Sequence, residues 1–158
     1  MSEFTHLTET GEVHMVDVTE KQPTVRSATA SGFVHCSEKV VAALRDQSVP
    51  KGDVFALARV AAIQGAKKTA DLLPLAHVIG VHGASVDLKL TDEGVAIEAT
   101  VRTADRTGVE MEAITAVSVA ALTIVDMVKG IDKHTWISDI KIQSKTGGKS
   151  GDWKREAK

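Results

Sequence analysis

The chain carries ionisable residues in groupings that could do chemistry. Lys51 and Gly52 stand just before a predicted helix. Unpaired N–H groups at a helix start, together with an ammonium, make an anion site. Asp53 beside them suits an ordinary helix cap equally well. Glu110 and Glu112 open a strongly apolar stretch, and Asp126 and Lys129 close it. Carboxyl and ammonium groups of this kind move protons when they are positioned against a substrate. The same order, acids first and lysine last, would also serve the helix dipole. Asp71 and His77 flank the segment LLPLA, and His77 follows Pro74 at a predicted strand start. That is a place for a general acid or base, or for a structural imidazole. Gly148-Lys149-Ser150 resembles the end of a phosphate-binding loop, but Gln143 stands where the motif needs Gly and no helix is predicted after it. Lys145, Lys149 and the glycine N–H groups could hold phosphate, or the segment could be a solvated tail. The six histidines lack an HExxH pair and Cys36 is the only cysteine, so no zinc site is expected.

Two spacings limit how these groups can act together. Glu110 and Glu112 share a face only in an extended chain, because a period of two belongs to strands. Asp126 and Lys129 share a face of a helix. Glu112 and Asp126 are fourteen positions apart, which in a helix is roughly 21 Å at a rise of ~1.5 Å per residue. They cannot flank one substrate atom within a single chain. If both act on one substrate, they meet across a subunit boundary.

The elements that must position these residues follow from apolar periodicity. Residues 1–12 are polar and predicted to be a flexible N-terminus, with a short extended segment at His14–Val18. Val25–Cys36 reads as a strand. Ser37 can cap a helix over EKVVAALRDQ, and Asp53 a second over VFALARVAAIQGAKK. A long strand is predicted from Val78, a turn at Thr91–Gly94, and a return strand through Val101. Gly108–Lys129 is the clearest helix, with a last strand at Thr135–Ser144. The Gly- and Lys-rich end reads as a loop. Strand, helices, hairpin, helix, strand is the split βαβ order of an α+β, ferredoxin-like two-layer sandwich: an antiparallel sheet with helices on one face. Residues 13–158 would form one catalytic domain. The helix from Ala113 is apolar on nearly every face, which predicts burial by a second subunit unless its small polar residues line an exposed side.

Composition narrows the class. The chain has 158 residues, 43% of them hydrophobic, and a formal charge of −2. That balance excludes wholesale binding to nucleic acid or an anionic membrane. With no Tyr, three Phe and two Trp, stacking platforms for single strands are not expected. A single cysteine suits a reducing compartment. The start lacks a signal peptide's basic and apolar regions, and the uncharged run Ala113–Val125 falls short of the ~20 residues of a membrane span. A cytoplasmic protein is expected.

The segments HMVDV, KGDVFALARVAAIQGAKKTADLLPLAH, TGVEMEAITAVSVAALTIVDMVKG and SKTGGKSGDW together resemble the cyclic pyranopterin monophosphate synthase family of molybdenum cofactor biosynthesis. They span His14 to Trp153. The resemblance implies a ferredoxin-like fold and a trimer of dimers with the pocket at a dimer interface. It implies conversion of 3′,8-cyclo-7,8-dihydroguanosine triphosphate into cyclic pyranopterin monophosphate with loss of pyrophosphate. The family's functional positions fall here on Asp17, Arg26, Lys51, His77, Glu110, Glu112, Asp126, Lys129 and Lys145. Lys51 and Lys129 would be the acid/base pair and Asp126 would tune Lys129. His77 and the carboxylates would bind the guanine-derived rings, while Arg26 and Lys145 would hold phosphates. The interface pocket further suggests that Lys51 and His77 come from one chain and Asp126 and Lys129 from its neighbour. No cofactor is required by any motif, and a magnesium ion could assist at the phosphates. Ala76 and Val78 replace the family's usual Cys and Pro around His77. The other class of reading is a non-catalytic oligomer that senses nucleotide or pterin.

Overall fold

The computed structural model describes residues 5–157. Nine elements follow one another: β1 (Thr24–His35), α1 (Glu38–Arg45), α2 (Val54–Lys67), α3 (Thr69–Leu72), β2 (Gly83–Thr91), β3 (Gly94–Asp105), α4 (Glu110–Val128), β4 (Trp136–Thr146) and β5 (Trp153–Lys154). The strands form one sheet in the order β2-β3-β1-β4-β5, with every pairing antiparallel. The fold is the expected α+β, ferredoxin-like sandwich.

Alternation builds the sheet side. Along β1 the buried residues are Ala28, Ala30, Gly32 and Val34, and their neighbours face away. Val95, Ile97, Ala99 and Val101 do the same on β3. These rows meet α4, while α2 packs against α4 and β2. The inward faces of both helices are small, with Ala58, Ala62 and Ala66 on α2 and Ala113, Ala116, Ala120 and Ala121 on α4. Small side chains let the two helices approach closely. Gly65 of α2 is a point of close approach, where an added methyl would lie 2.7 Å from Val119 Cγ2. Ile97 and Ile124 are among the largest fully buried side chains, each contributing about 1.5–3 kcal/mol through burial. Asp53 caps α2 by accepting from the Ala56 N–H at 3.0 Å.

Several expectations shift. The second strand starts at Gly83 rather than Val78. Before it, ladder groups take side-chain partners: His82 Nδ1 accepts from the Ala104 N–H at 3.0 Å, and the Thr103 hydroxyl donates to the Gly80 carbonyl at 2.5 Å. The C-terminal segment is not all loop, because Trp153 and Lys154 pair with Lys145 and Ser144. Near the start of the chain, Leu7 and Val13 form an isolated bridge.

α4 is not buried on all sides within one chain. Met111, Leu122, Asp126 and Lys129 are exposed on its outer face, with Thr115 and Ser118 partly so. Ser118 and Thr123 donate their hydroxyls to Ile114 and Val119, each at 2.7 Å, which satisfies them at little cost. Leu122 is 60% exposed, so an apolar strip remains uncovered. By length and composition α4 could cross a membrane, yet over half of it is buried inside the domain, as suits a core helix.

Candidate functional site

The candidate residues collect at the two ends of α4. At its C-terminal end, Lys51 and Lys129 meet on one carboxylate. Lys129 Nζ lies 2.7 Å from Asp126 Oδ1 and Lys51 Nζ 3.2 Å from Oδ2. Lys51 also donates to the Asp126 backbone carbonyl at 2.9 Å, where the helix end is electronegative. The hydrogen bond from Lys129, then that from Lys51, holds the Asp126 carboxyl below the usual carboxylate range. Two ammoniums share one carboxylate, so the group keeps a net positive charge. All three side chains are at least half exposed. This overturns the expected division of the lysines between neighbouring chains. Lys51 reaches Asp126 and Lys129 of its own chain, because the loop before α2 packs beside the end of α4.

At the N-terminal end lies a cavity of about 640 Å³. His77, Glu110 and Glu112 contribute to its wall, as do Leu73 to Ala76. The helix begins at Glu110, so the two glutamates point in different directions from its first turn, and the cavity wraps around that turn to meet both. Glu110 faces Lys145, whose Nζ is 3.8 Å away and donates to Ser150 Oγ at 2.5 Å. Glu112 is only 4% exposed. Burial pushes its carboxyl up to about 7, and the neighbouring charge of Glu110 adds to the rise while His77 opposes it. A carboxyl near 7 can give or take a proton at neutral pH.

This shift has a consequence for stability. The folded protein keeps a proton on Glu112 that the unfolded chain, with an ordinary value of 4.5, releases earlier. Stability from this group is therefore highest below 4.5 and declines as pH rises to about 7. Thermal melts across that window should show Glu112→Gln with a flatter pH dependence than the parent. Parallel curves would mean that another group titrates there.

Arg26 borders a second, more open hollow with Lys21, Gln22, Thr24, Gly148, Lys149 and Ser150. Its Nε donates to the Asp105 carbonyl at 3.1 Å and its Nη2 to the Arg106 carbonyl at 3.4 Å. Part of the guanidinium thus anchors the end of β3, and Nη1 faces Gly148. Lys145 connects this hollow to the cavity through Ser150 and Glu110. Asp17 is the residue least engaged with either cluster. Its carboxylate accepts from the Thr19 N–H at 2.8 Å and hydroxyl at 2.6 Å, which lowers its pKa. It sits next to Val16, whose carbonyl contacts His77 Nε2 at 2.6 Å. Sequence reasoning missed Lys21, His6 and Val13, which line these spaces. No motif marks them, and only the folded chain brings them there. Among the described residues, no three of His, Cys, Asp and Glu gather as a metal site. Cys36 is held as a thiol, with burial pushing it up to about 11.

Comparison with known proteins adds the chemistry. The family matched over residues 15–148 is the MoaC family. A protein of a Nocardioides species is 59% identical over 155 residues, covering 96% of this chain and 95% of its own. A Streptomyces coelicolor protein is 58% identical over 152 residues, covering 96% and 89%. A protein of Corynebacterium glutamicum strain R is 53% identical over 153 residues, covering 97% and 98%. Each of the three is named cyclic pyranopterin monophosphate synthase.

Proposed function

The chain belongs to the MoaC family, and from that membership we propose that it is a cyclic pyranopterin monophosphate synthase. It takes 3′,8-cyclo-7,8-dihydroguanosine triphosphate, rebuilds the purine as a pterin, and closes a cyclic phosphate. In the closing step a sugar hydroxyl attacks the α-phosphorus and loses its proton, while the bond to pyrophosphate breaks. The observation that carries this reading is the gathering of the family's positions at two ends of one helix. Lys51, Asp126 and Lys129 form a cationic proton-transfer group at one end. His77, Glu110 and Glu112 line a cavity at the other, with Lys145 3.8 Å from Glu110.

The ends lie roughly 21 Å apart along α4 at ~1.5 Å per residue, so one site needs two chains. Exposed apolar side chains border each end: Leu57 and Val60 lie beside Lys51, while Met111 and Val13 edge the cavity. A dimer that set one chain's lysines against its partner's cavity would bury these groups and complete the site. Three such dimers would make the hexamer. Within the site, Lys51 and Lys129 serve as the general acid and base, with Asp126 orienting both. Glu112 and Glu110 bind and protonate the ring system with His77. Lys145 and Arg26 hold phosphate, and Lys21 and Lys149 extend the same basic wall. A magnesium ion, if used, would arrive on the substrate's phosphates. A biosynthetic role of this kind fits the cytoplasm. A non-catalytic sensor is the weaker reading, because a carboxyl near neutral pKa beside a cavity suits proton transfer.

The direct test is to incubate the pure protein with the cyclised triphosphate and follow pterin fluorescence after oxidation, together with pyrophosphate release. Absence of both with authentic substrate would refute the assignment. Arg26→Ala should raise KM, and the increase over the parent should shrink as ionic strength rises wherever phosphate attraction is what was lost, because salt already screens that attraction in the parent. A salt-independent rise would assign Arg26 to holding the Asp105 and Arg106 carbonyls alone.

A further inference from the structure

We propose that residues 6–16 are a strap that completes the substrate cavity and fixes the tautomer of His77. The inference rests on the activity proposed above for its kinetic part, and on geometry alone for the tautomer.

The strap has internal structure. Thr8 N–H donates to the Glu12 carbonyl at 2.8 Å, Gly11 N–H to the Thr8 carbonyl at 2.9 Å, and His14 N–H to the His6 carbonyl at 2.9 Å. The Thr8 hydroxyl accepts from the Glu12 N–H at 3.0 Å. These bonds close a small hairpin around the Leu7–Val13 bridge. Leu7 is 42% and Val13 67% exposed, so burial in the core does not explain why the hairpin lies where it does. Its position is explained by the cavity. His6 and Val13 form part of the same wall as His77, Glu110 and Glu112.

The chain then leads to Val16, whose carbonyl lies 2.6 Å from His77 Nε2. A carbonyl can only accept, so Nε2 must carry the proton. In the neutral ring the lone pair is then on Nδ1. The strap therefore decides which nitrogen is free to accept from a ring N–H or to take a proton. His77 sits in the irregular connection between α3 and β2, where no ladder fixes the ring, so the Val16 contact orients it. His6 and Val13 are binding residues in this scheme, and Val16 is a positioning residue.

Full-length variants test it. His6→Ala and Val13→Ser should each raise KM by about three- to tenfold, the loss of one net contact. Leu7→Gly combined with Val13→Gly unzips the hairpin. It should raise KM and also lower kcat as the His77 ring loses its fixed orientation. The second readout needs no substrate: nitrogen-15 NMR of the imidazoles at neutral pH, with the His77 signal assigned from a His77→Gln sample. The parent should show Nε2 protonated and Nδ1 unprotonated, and the unzipped variant a mixture. An Nδ1-protonated His77 in the parent, or unchanged tautomer and KM in the unzipped variant, would overturn the proposal. Should the parent form no product, the proposed activity fails, and the tautomer result still judges the strap.

Discussion

Subunits carrying Lys51→Ala, mixed with subunits carrying Lys129→Ala, should stay inactive, whereas Lys51→Ala mixed with His77→Ala should regain about a quarter of the sites. Each single variant should lose about 10²–10⁴ in turnover, the range for removing a positioned acid or base. The contrast between mixtures follows from Asp126. It holds both lysines in one chain, through Oδ1 at 2.7 Å and Oδ2 at 3.2 Å. A mixed dimer of the two lysine variants then has one lesion in each lysine cluster, and neither site is whole. His77 lies at the other end of α4 and would serve the partner's lysines. A mixed dimer of Lys51→Ala and His77→Ala therefore has one site with both lesions and one with neither. Random exchange makes half the dimers mixed, and half of their sites intact. Exchange is verified by native mass measurement. Recovery in the lysine–lysine mixture would show that the Asp126 cluster is not the working arrangement. Failure of the lysine–histidine mixture, with exchange confirmed, would place each complete site in one chain.

Gly94→Ala should cost about 3 kcal/mol or more and could prevent folding at physiological temperature. Gly94 ends the turn between β2 and β3 with φ of +146°, a conformation that L side chains rarely adopt. A Cβ there would also overlap the Val34 carbonyl oxygen, in the register where His35 pairs with Gly94. Backbone strain of about 1–3 kcal/mol adds to overpacking of similar size. Neither chain can retreat, because β1 and β3 are the central pair of the sheet. Ala96, two residues on, is only partly buried between the buried Val95 and Ile97, so Ala96→Ser is the matched control. Urea unfolding checks the difference, and a loss below 1 kcal/mol would mean that the hairpin can relax.

The elements of this fold were largely legible in the sequence because each depends on a local period. Alternation in SVDLKL and VAIEATV marks the hairpin, and the dense apolar spacing of Ala113–Val125 marks α4. Their order was sufficient for the ferredoxin-like topology, since antiparallel neighbours and short connections leave few alternatives. The fourteen-residue separation of Glu112 and Asp126 already required two ends to the site. The start of β2 was misread because side chains of His82 and Thr103 occupy partners that a strand would have used. One chain does not bury α4 on every face, because Leu122 and Met111 remain outside.

The tertiary structure alone decided which groups meet. Lys51 and Asp126 are 75 residues apart in the chain, and His77 and Val16 are 61 apart. Spacing within one helix or strand carries no information about such contacts, because they depend on how separate elements pack. The sequence by itself thus determined the chemical types present and the elements carrying them. Packing of the α2 entry against the end of α4 placed both lysines on one carboxylate. Folding removed Glu112 from water beside the cavity, and burial raised its pKa. Burial and cross-chain distance are properties of the folded molecule, and they turn ordinary surface residue types into a site.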